Sequence, residues 1–281
     1  MNYLDAISYG NKILKSNNIK NFNLESEILL AKALKSTREQ VLINLSNKVA
    51  LKNFNNFKSL IIRRKRKEPI AHIFRIKEFW KYSFKVNKNV LIPRPETEQI
   101  VEEILKLNSI NSSKQVLDVG TGSGCIIISI IKERPYMQAT AIDTSKKALK
   151  IAISNAKMHH LQNKIKFINI NVDKFETKKY DFIVSNPPYI NTINLKRLDE
   201  DVGLYEPHEA LKGGIDGLTI IKKIISKSKT LLKKNGKLIF EIGNNQKSDV
   251  IKLLHKNSFY VNKVCKDIQS HPRTIVSTKL I

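Results

Sequence analysis

The residues best suited to chemistry are Asn186-Pro187-Pro188-Tyr189. They follow Tyr180-Asp-Phe-Ile-Val-Ser185, an apolar and β-branched run that reads as a strand. Proline stops that run, because it cannot donate to a sheet and disfavours a helical residue before it. An amide, a bare main-chain carbonyl and an aromatic ring are thereby set at the carboxyl end of a strand. In open α/β sheets that edge is where ligands bind.

A second constellation precedes it. Val116-Leu-Asp-Val-Gly120-Thr121-Gly122-Ser123-Gly124 reads as a strand, a tight turn and a helix start. Glycines let the backbone approach a ligand and open the helix N-terminus to it. Position 125 is Cys, so the G-x-G-x-x-G spacing of a dinucleotide site fails. D-x-G-x-G-x-G is the form seen in S-adenosylmethionine sites, with Gly120, Thr121, Gly122, Ser123 and Gly124 as cofactor-binding candidates. Asp143 ends the next strand, where an acid can accept from both ribose hydroxyls. Asp173 follows the third strand, within reach of an adenine amine, and Lys174 and Phe175 could flank the ring.

Beside such a cofactor the tetrapeptide gains a meaning. An Asn/Asp-Pro-Pro-aromatic turn points to methyl transfer to a planar nitrogen, a poor nucleophile because its lone pair is delocalised. Asn186 Oδ1 and the Pro187 carbonyl can each accept one N–H and aim the lone pair at the methyl. Orientation and electrostatics carry such a step without a strong base. Asn186, Pro187 and Tyr189 are the catalytic candidates. Pro188 joins them as a substrate contact, with Tyr189 packing on the acceptor.

These residues need a scaffold. From Gln115 onward strand and helix patterns alternate, ending in two strands joined through Gln269-Ser-His-Pro272, which predicts a mostly parallel, doubly wound sheet with an antiparallel edge. The amino-terminal third instead carries helical periods: Leu4 to Leu14, a helix capped by Asn23, Arg38 to Ile43, and Leu51 to Arg66. Period-two alternation at Trp80, Tyr82, Phe84 and Val86, a turn at Asn87-Lys-Asn89 and then Val90-Leu-Ile92 predict a β-hairpin. Pro93-Arg94-Pro95-Glu96-Thr97-Glu98 reads alone as a linker opening a helix. The expected domains are a helical bundle at 1–75, a hairpin linker at 76–95 and a methyltransferase domain at 96–281.

Composition sets bounds. With 281 residues and 41% hydrophobic content the chain can bury a sizeable core. No apolar run reaches the ~18 residues of a membrane span, the start lacks signal-peptide features, and two distant cysteines suit a reducing cytoplasm. The net charge of +25 admits an acidic or nucleic-acid partner. Lysines spread over nearly every expected helix also fit a genome poor in G and C. Arg63-Arg64-Lys65-Arg66-Lys67 stands apart as either a helix end or a docking patch. The six histidines lack metal spacing, so no metal is expected. Cys125 at a helix start reads as a small buried residue before a reactive thiol. Glu206 and Asp216 read as loop and helix-cap residues.

The chain resembles the peptide chain release factor N(5)-glutamine methyltransferases (PrmC, also called HemK) over nearly its whole length. The likeness rests on Ile92-Pro-Arg-Pro-Glu-Thr-Glu98, Asp118-Val-Gly-Thr-Gly-Ser-Gly124 and Ser185-Asn-Pro-Pro-Tyr-Ile190. It continues in Tyr205-Glu-Pro207, Ala210-Leu211, Gly213-Gly214, Asp216-Gly-Leu218, Glu241-Ile-Gly243 with Gln246, and Lys266-Asp267 with Pro272-Arg273. The P-R-P-E-T-E segment separates it from the sister family acting on a ribosomal-protein glutamine. The resemblance implies a helical domain joined by a β-hairpin to a Rossmann-like S-adenosylmethionine-dependent methyltransferase domain with a mostly parallel seven-stranded sheet. It implies methylation of the glutamine amide in the Gly-Gly-Gln motif of class 1 release factors, with the amino-terminal domain helping to dock the factor and Arg94 near the substrate cleft. A monomer without membrane or stable nucleic-acid binding is the expected state. Two departures stand out. The family's Tyr-Ile-Leu-Gly stretch is replaced within Ala71-His-Ile-Phe-Arg75, so the turn is expected to differ, and Lys174 stands where an aromatic residue is common. The alternatives are an adenine N-methyltransferase on nucleic acid, suggested by Asn-Pro-Pro-Tyr and the charge, and a non-catalytic release-factor or ribosome binding module.

Overall fold

The computed structural model describes residues 1–176 and 179–280, apart from the side chains of Lys196 and Arg197. Residue 281, the last of the range expected for the methyltransferase domain, lies outside them. In chain order the helices α1–α5 are Tyr3–Ser16, Phe22–Leu34, Arg38–Ile43, Leu51–Lys65 and Ile70–Phe74. Strands β1 (Ile76–Phe79) and β2 (Tyr82–Lys85) follow, then a 3-10 turn at Pro95–Thr97 and α6 (Glu98–Lys106). Next come β3 (Gln115–Val119), α7 (Cys125–Glu133), β4 (Gln138–Asp143), α8 (Lys146–Met158), β5 (Ile165–Asn169) and β6 (Tyr180–Ser185). The chain ends with β7 (Ile190–Asn191), α9 (Glu200–Tyr205), β8 (Lys212–Gly214), α10 (Thr219–Leu231), β9 (Leu232–Glu241), α11 (Lys247–Lys256), β10 (Phe259–Lys266) and β11 (Pro272–Lys279).

Two compact units emerge. The smaller comprises Met1–Phe74 and Asp199–Tyr205. Its core gathers Leu14, Leu29, Leu30, Phe57 and Ile61. Asn2 and Asp5 close a capping box at the start of α1, but α2 is preceded by Asn21, without a side-chain cap, and Asn23 lies inside it. The basic run at the end of α4 is largely committed within this unit. Arg64 is buried, with Nε 2.5 Å from Glu25 and Nη2 3.7 Å from Asp201. Arg63 pairs with Glu68 at 2.5 Å, Lys67 with Glu200 at 3.6 Å, and the Arg66 carbonyl accepts the Tyr205 hydroxyl.

The larger unit holds Arg75–Leu198 and Glu206–Ile281. Its seven-stranded sheet has the order β10-β11-β9-β6-β3-β4-β5; β9, β6, β3, β4 and β5 run parallel, and β11 is antiparallel to both neighbours. Strands buried on both faces must be apolar throughout, as Val116-Leu-Asp-Val119 and Phe182-Ile-Val184 nearly are. Every residue of α7 from Cys125 to Ile131 is buried, so polar surface appears only at its end, at Lys132 and Glu133. β3 and β6 are neighbours whose chain continuations diverge, which opens the crevice at their carboxyl ends.

The hairpin differs from expectation. β1 pairs with β2 around Trp80-Lys81, with Trp80 at φ +58°, and Val90–Ile92 forms no strand. Asn87 Oδ1 accepts from Asn89 N and the Ile92 N–H goes to Glu206, so this backbone is satisfied by side chains. Residues 76–95 belong to the larger unit and are not a free linker. Trp80 Nε1 and the Tyr82 hydroxyl donate to Glu133, and the Lys85 N–H donates to Asn155 Oδ1. Arg75 takes φ +59°, a left-handed conformation that strains a residue bearing a Cβ.

Candidate active site

A cavity of about 700 Å³ lies at the carboxyl ends of β3, β4, β5 and β6, within the usual size of small-molecule sites. Val119 to Ser123, Asp143, Thr144, Ser145 and Ile170 to Val172 line one side. Pro93, Thr97, Asn186 and Pro188 line the other.

The first wall is backbone. Gly120 has φ +73°, and a Cβ built there would meet nothing within 4 Å, so the position is reserved for conformation and open space. The Gly122 N–H donates to Asp143 Oδ2 at 2.9 Å, and Ser145 N donates to Oδ1 at 2.8 Å. Each carboxylate oxygen keeps lone pairs for a further donor. Burial nevertheless pushes the Asp143 carboxyl upward, opposed by these backbone donors. Thr121 donates to Asp118, which is fully buried and raised to about 7, chiefly by desolvation. The Ser123 carbonyl accepts from Asn155, which also bonds both polar backbone atoms of Lys85, so the hairpin holds the turn from behind. Gly124 stands outside the cavity lining; a Cβ there would lie 2.9 Å from Ile128 and 3.2 Å from Ala152. A glycine cradle and an acid with spare acceptor sites fit the amino-acid and ribose parts of S-adenosylmethionine.

Asp173 and Lys174 are not part of this wall. Both are exposed, and Asp173 Oδ2 sits 3.1 Å from Lys223 Nζ. Asn171 Oδ1 accepts the Asp173 N–H and opens a 3-10 turn, which leaves Ile170, Asn171 and Val172 at the cavity. Phe175 is buried against Tyr180 rather than placed beside a ring site. Cys125 lines the cavity from the start of α7, but burial pushes its thiol up to about 12, so it is no reactive thiolate.

The second wall is built of side chains. Asn186 Nδ2 donates to Thr97 Oγ1 at 2.9 Å, and Thr97 donates to Glu241 Oε2 at 2.5 Å. The Tyr189 hydroxyl donates to Glu241 Oε1 at 3.1 Å. Thr97 and Glu241 are both 2% exposed. Gln246 holds the backbone here, donating to the carbonyls of Tyr189 and Gly217 and accepting from the Gly243 N–H. Gly217 is required by proximity, since a Cβ would fall 2.5 Å from the Tyr189 carbonyl oxygen. Pro187 is buried and Tyr189 half-buried, behind the Asn186 and Pro188 that line the cavity. Burial and the neighbouring Glu241 push the Tyr189 phenol well above its ordinary range.

Arg94 does not line the cavity. Its Nη2 lies 2.5 Å from Glu206 Oε1, and Glu206 also accepts the Ile92 N–H. Asp216 is not the cap of α10, whose N-cap position is Leu218; it accepts from Leu218 N in the preceding turn and pairs with Lys222. Thr97 and Glu241 complete this wall, and residue chemistry alone does not single them out. The available signal was an acid ending a strand beside β6 and a threonine inside the P-R-P-E-T-E segment. No His/Cys/Asp/Glu group suited to a metal occurs among the described residues.

A doubly wound sheet with a glycine-rich first turn and Asn-Pro-Pro-Tyr on the adjacent strand end defines a Rossmann-like methyltransferase. Residues 97–198 accordingly match the family model described as Methyltransferase small domain, and residues 5–74 match the one described as PrmC N-terminal domain. The release factor glutamine methyltransferase of Fusobacterium nucleatum subsp. nucleatum is 35% identical over 281 residues, covering 99% of this chain and 79% of that protein. The chain belongs to the release factor glutamine methyltransferase family. A bifunctional methyltransferase of Rickettsia prowazekii is 39% identical over 90% of this chain, and the chain spans 52% of that longer protein. The crystal structure of a methyltransferase from Pyrococcus furiosus superposes with a TM-score of 0.55 at 15% identity, covering 81% of this chain and 100% of that one, a likeness of fold.

Proposed function

We propose that the protein transfers a methyl group from S-adenosylmethionine to the side-chain amide nitrogen of the glutamine in the Gly-Gly-Gln motif of class 1 release factors. The observation that carries this reading is the Asn186 amide, tied to Thr97 through Nδ2 so that Oδ1 is its acceptor at a cavity walled by the glycine turn. The cofactor supplies an electrophilic methyl on a sulfonium. Asn186 Oδ1 and the Pro187 carbonyl accept the two N–H groups of the glutamine amide and orient its lone pair. Pro188 and the half-buried Tyr189 shield the site from water, which strengthens those hydrogen bonds. No residue has to remove the proton before transfer, because the methylated amide loses it readily afterwards.

The glutamine acceptor is supported by the Fusobacterium relative, a release factor glutamine methyltransferase, and by the P-R-P-E-T-E segment, whose Pro93 and Thr97 stand at the cavity. The helical unit at 1–74 would dock the factor, and the larger unit would carry the chemistry as a monomer. Two free cysteines and a translation-factor substrate support a cytoplasmic setting, and no helix among the described residues is long and apolar enough to cross a membrane. Incubation of the protein with purified release factor and S-adenosylmethionine should add one methyl mass to the Gly-Gly-Gln peptide. Label appearing instead in DNA or RNA would replace this reading with the adenine alternative.

A further inference from the structure

We infer that Thr97 and Glu241 form a positioning relay that decides which end of the Asn186 amide meets the acceptor nitrogen. As a claim about catalysis this rests on the proposed amide methylation; as a claim about Asn186 it stands on the hydrogen bonds alone.

Thr97 has one hydroxyl proton and two polar neighbours, Glu241 Oε2 at 2.5 Å and the Asn186 amide at 2.9 Å. An ionised carboxylate can only accept, so that proton belongs to Glu241. Thr97 is then obliged to accept from its other neighbour, and of the two ends of the amide only Nδ2 can donate. The opposite rotamer of Asn186 would set two acceptors face to face and offer an N–H donor where an amide acceptor must bind. Asparagine alone has no such preference, because its two ends are nearly the same size. Direction is imposed by a threonine from the 3-10 turn and a glutamate from the end of β9.

Glu241 is itself held. Tyr189, from the loop after β6, donates to Oε1, so both carboxylate oxygens are used and the Tyr189 ring is fixed by the same group that orients Asn186. Arg273 on β11 favours the ionised form and Glu96, beside Thr97, opposes it; Arg94 and Arg273 both act on Tyr189. Burial outweighs the donors and brings the Glu241 carboxyl to about 7. Protonated Glu241 can donate to Thr97, which frees the threonine proton to turn toward Asn186. The relay then runs backwards, and the amide offers the wrong end. A purely structural cluster would have no such consequence.

The test uses the full ¹⁵N-labelled chain, with the Asn186 side-chain amide signal assigned by its loss in Asn186→Ala. The signal is expected to move with pH, with a midpoint near 7, in the wild type and in Thr97→Ser, and to stay still in Thr97→Val and Glu241→Gln. With release factor as acceptor near pH 8, Thr97→Val should lower kcat roughly 10- to 100-fold while the S-adenosylmethionine Kd stays within about threefold. Thr97→Ser should recover most of that rate. A wild-type Asn186 signal that ignores pH, or one that still titrates in Thr97→Val, overturns the relay. If the signals behave as expected but the wild type labels no release factor, the glutamine reading falls and the orientation of Asn186 stands.

Discussion

One wall of the cavity is made of backbone and the other of side chains, and the two depend on the sequence in different ways. Gly120 to Ser123 and Asp143 lie within a single βα unit and the strand that follows, and their bonds stay fairly local, spanning 21 residues between Gly122 and Asp143 and 32 between Ser123 and Asn155. The second wall joins Thr97, Asn186, Tyr189 and Glu241, with Thr97 and Glu241 144 residues apart. A cradle of main-chain groups binds by shape and tolerates change in what surrounds it. A wall of side chains presents one particular acceptor atom, and it does so only while every partner is in place and correctly protonated. On the proposed function, the first wall would hold a cofactor common to many methyltransferases, and the second would present its acceptor to one kind of nitrogen.

The sharpest way to break that comparison is to damage each wall alone. Asn186→Ala is expected to lower kcat on the order of 10³-fold, as loss of a transition-state hydrogen bond does, with the S-adenosylmethionine Kd within about threefold by calorimetry. Asp143→Ala should do the reverse, weakening cofactor binding roughly 10- to 100-fold through loss of charge-assisted bonds, with kcat at saturating cofactor within about tenfold. Two variants with the same profile would show that the walls are not separable.

Titration sharpens the contrast, since each wall contains a buried carboxyl held near pH 7: Asp118 behind the glycine turn and Glu241 behind Asn186. The folded protein keeps both protons up to about pH 7, whereas the unfolded chain releases them near 3.8 and 4.5. Folding takes up protons in that window, so the stability these groups allow is full below about pH 4 and falls as pH rises toward 7. Asp118→Asn and Glu241→Gln should each melt above the wild type at pH 8, with the gap closing toward pH 4. They should part in the pH–rate profile: the acid limb of kcat near 7 disappears in Glu241→Gln and survives in Asp118→Asn.

The smallest expected effect lies outside both walls. Arg75→Gly relieves a left-handed backbone and should stabilise the fold by about 1 kcal/mol in denaturant unfolding, leaving kcat unchanged. A loss of stability there would mean that the Arg75 side chain contributes more than its strain costs.

Much of this architecture was legible in advance. Alternating strand and helix periods placed the core strands of the sheet within a few residues of their ends, apart from an earlier start to β9, and the stop at Pro187 marked the end of β6 at the cavity. Other positions turn on distant partners. Val90 to Ile92 has a strand's composition, but its backbone is met by Glu206 instead of a partner strand. Arg94, expected near the substrate cleft, is bonded to that same Glu206 beside the cavity-lining Pro93 and Pro207. Asp173 and Lys174 follow the right strand but are exposed, and Asp173 is paired with Lys223, a residue of the cavity lining. Each depends on a neighbour that no local pattern names.

Proline and glycine act on their own backbone and on the next residue or two, so the sequence by itself determined where the strands stop, where the turn tightens and which amide stands at the edge. A hydroxyl proton has no preferred direction until its neighbours are known. Which end of Asn186 faces the cavity was therefore decided only when the tertiary structure brought Thr97 and Glu241 together beside it.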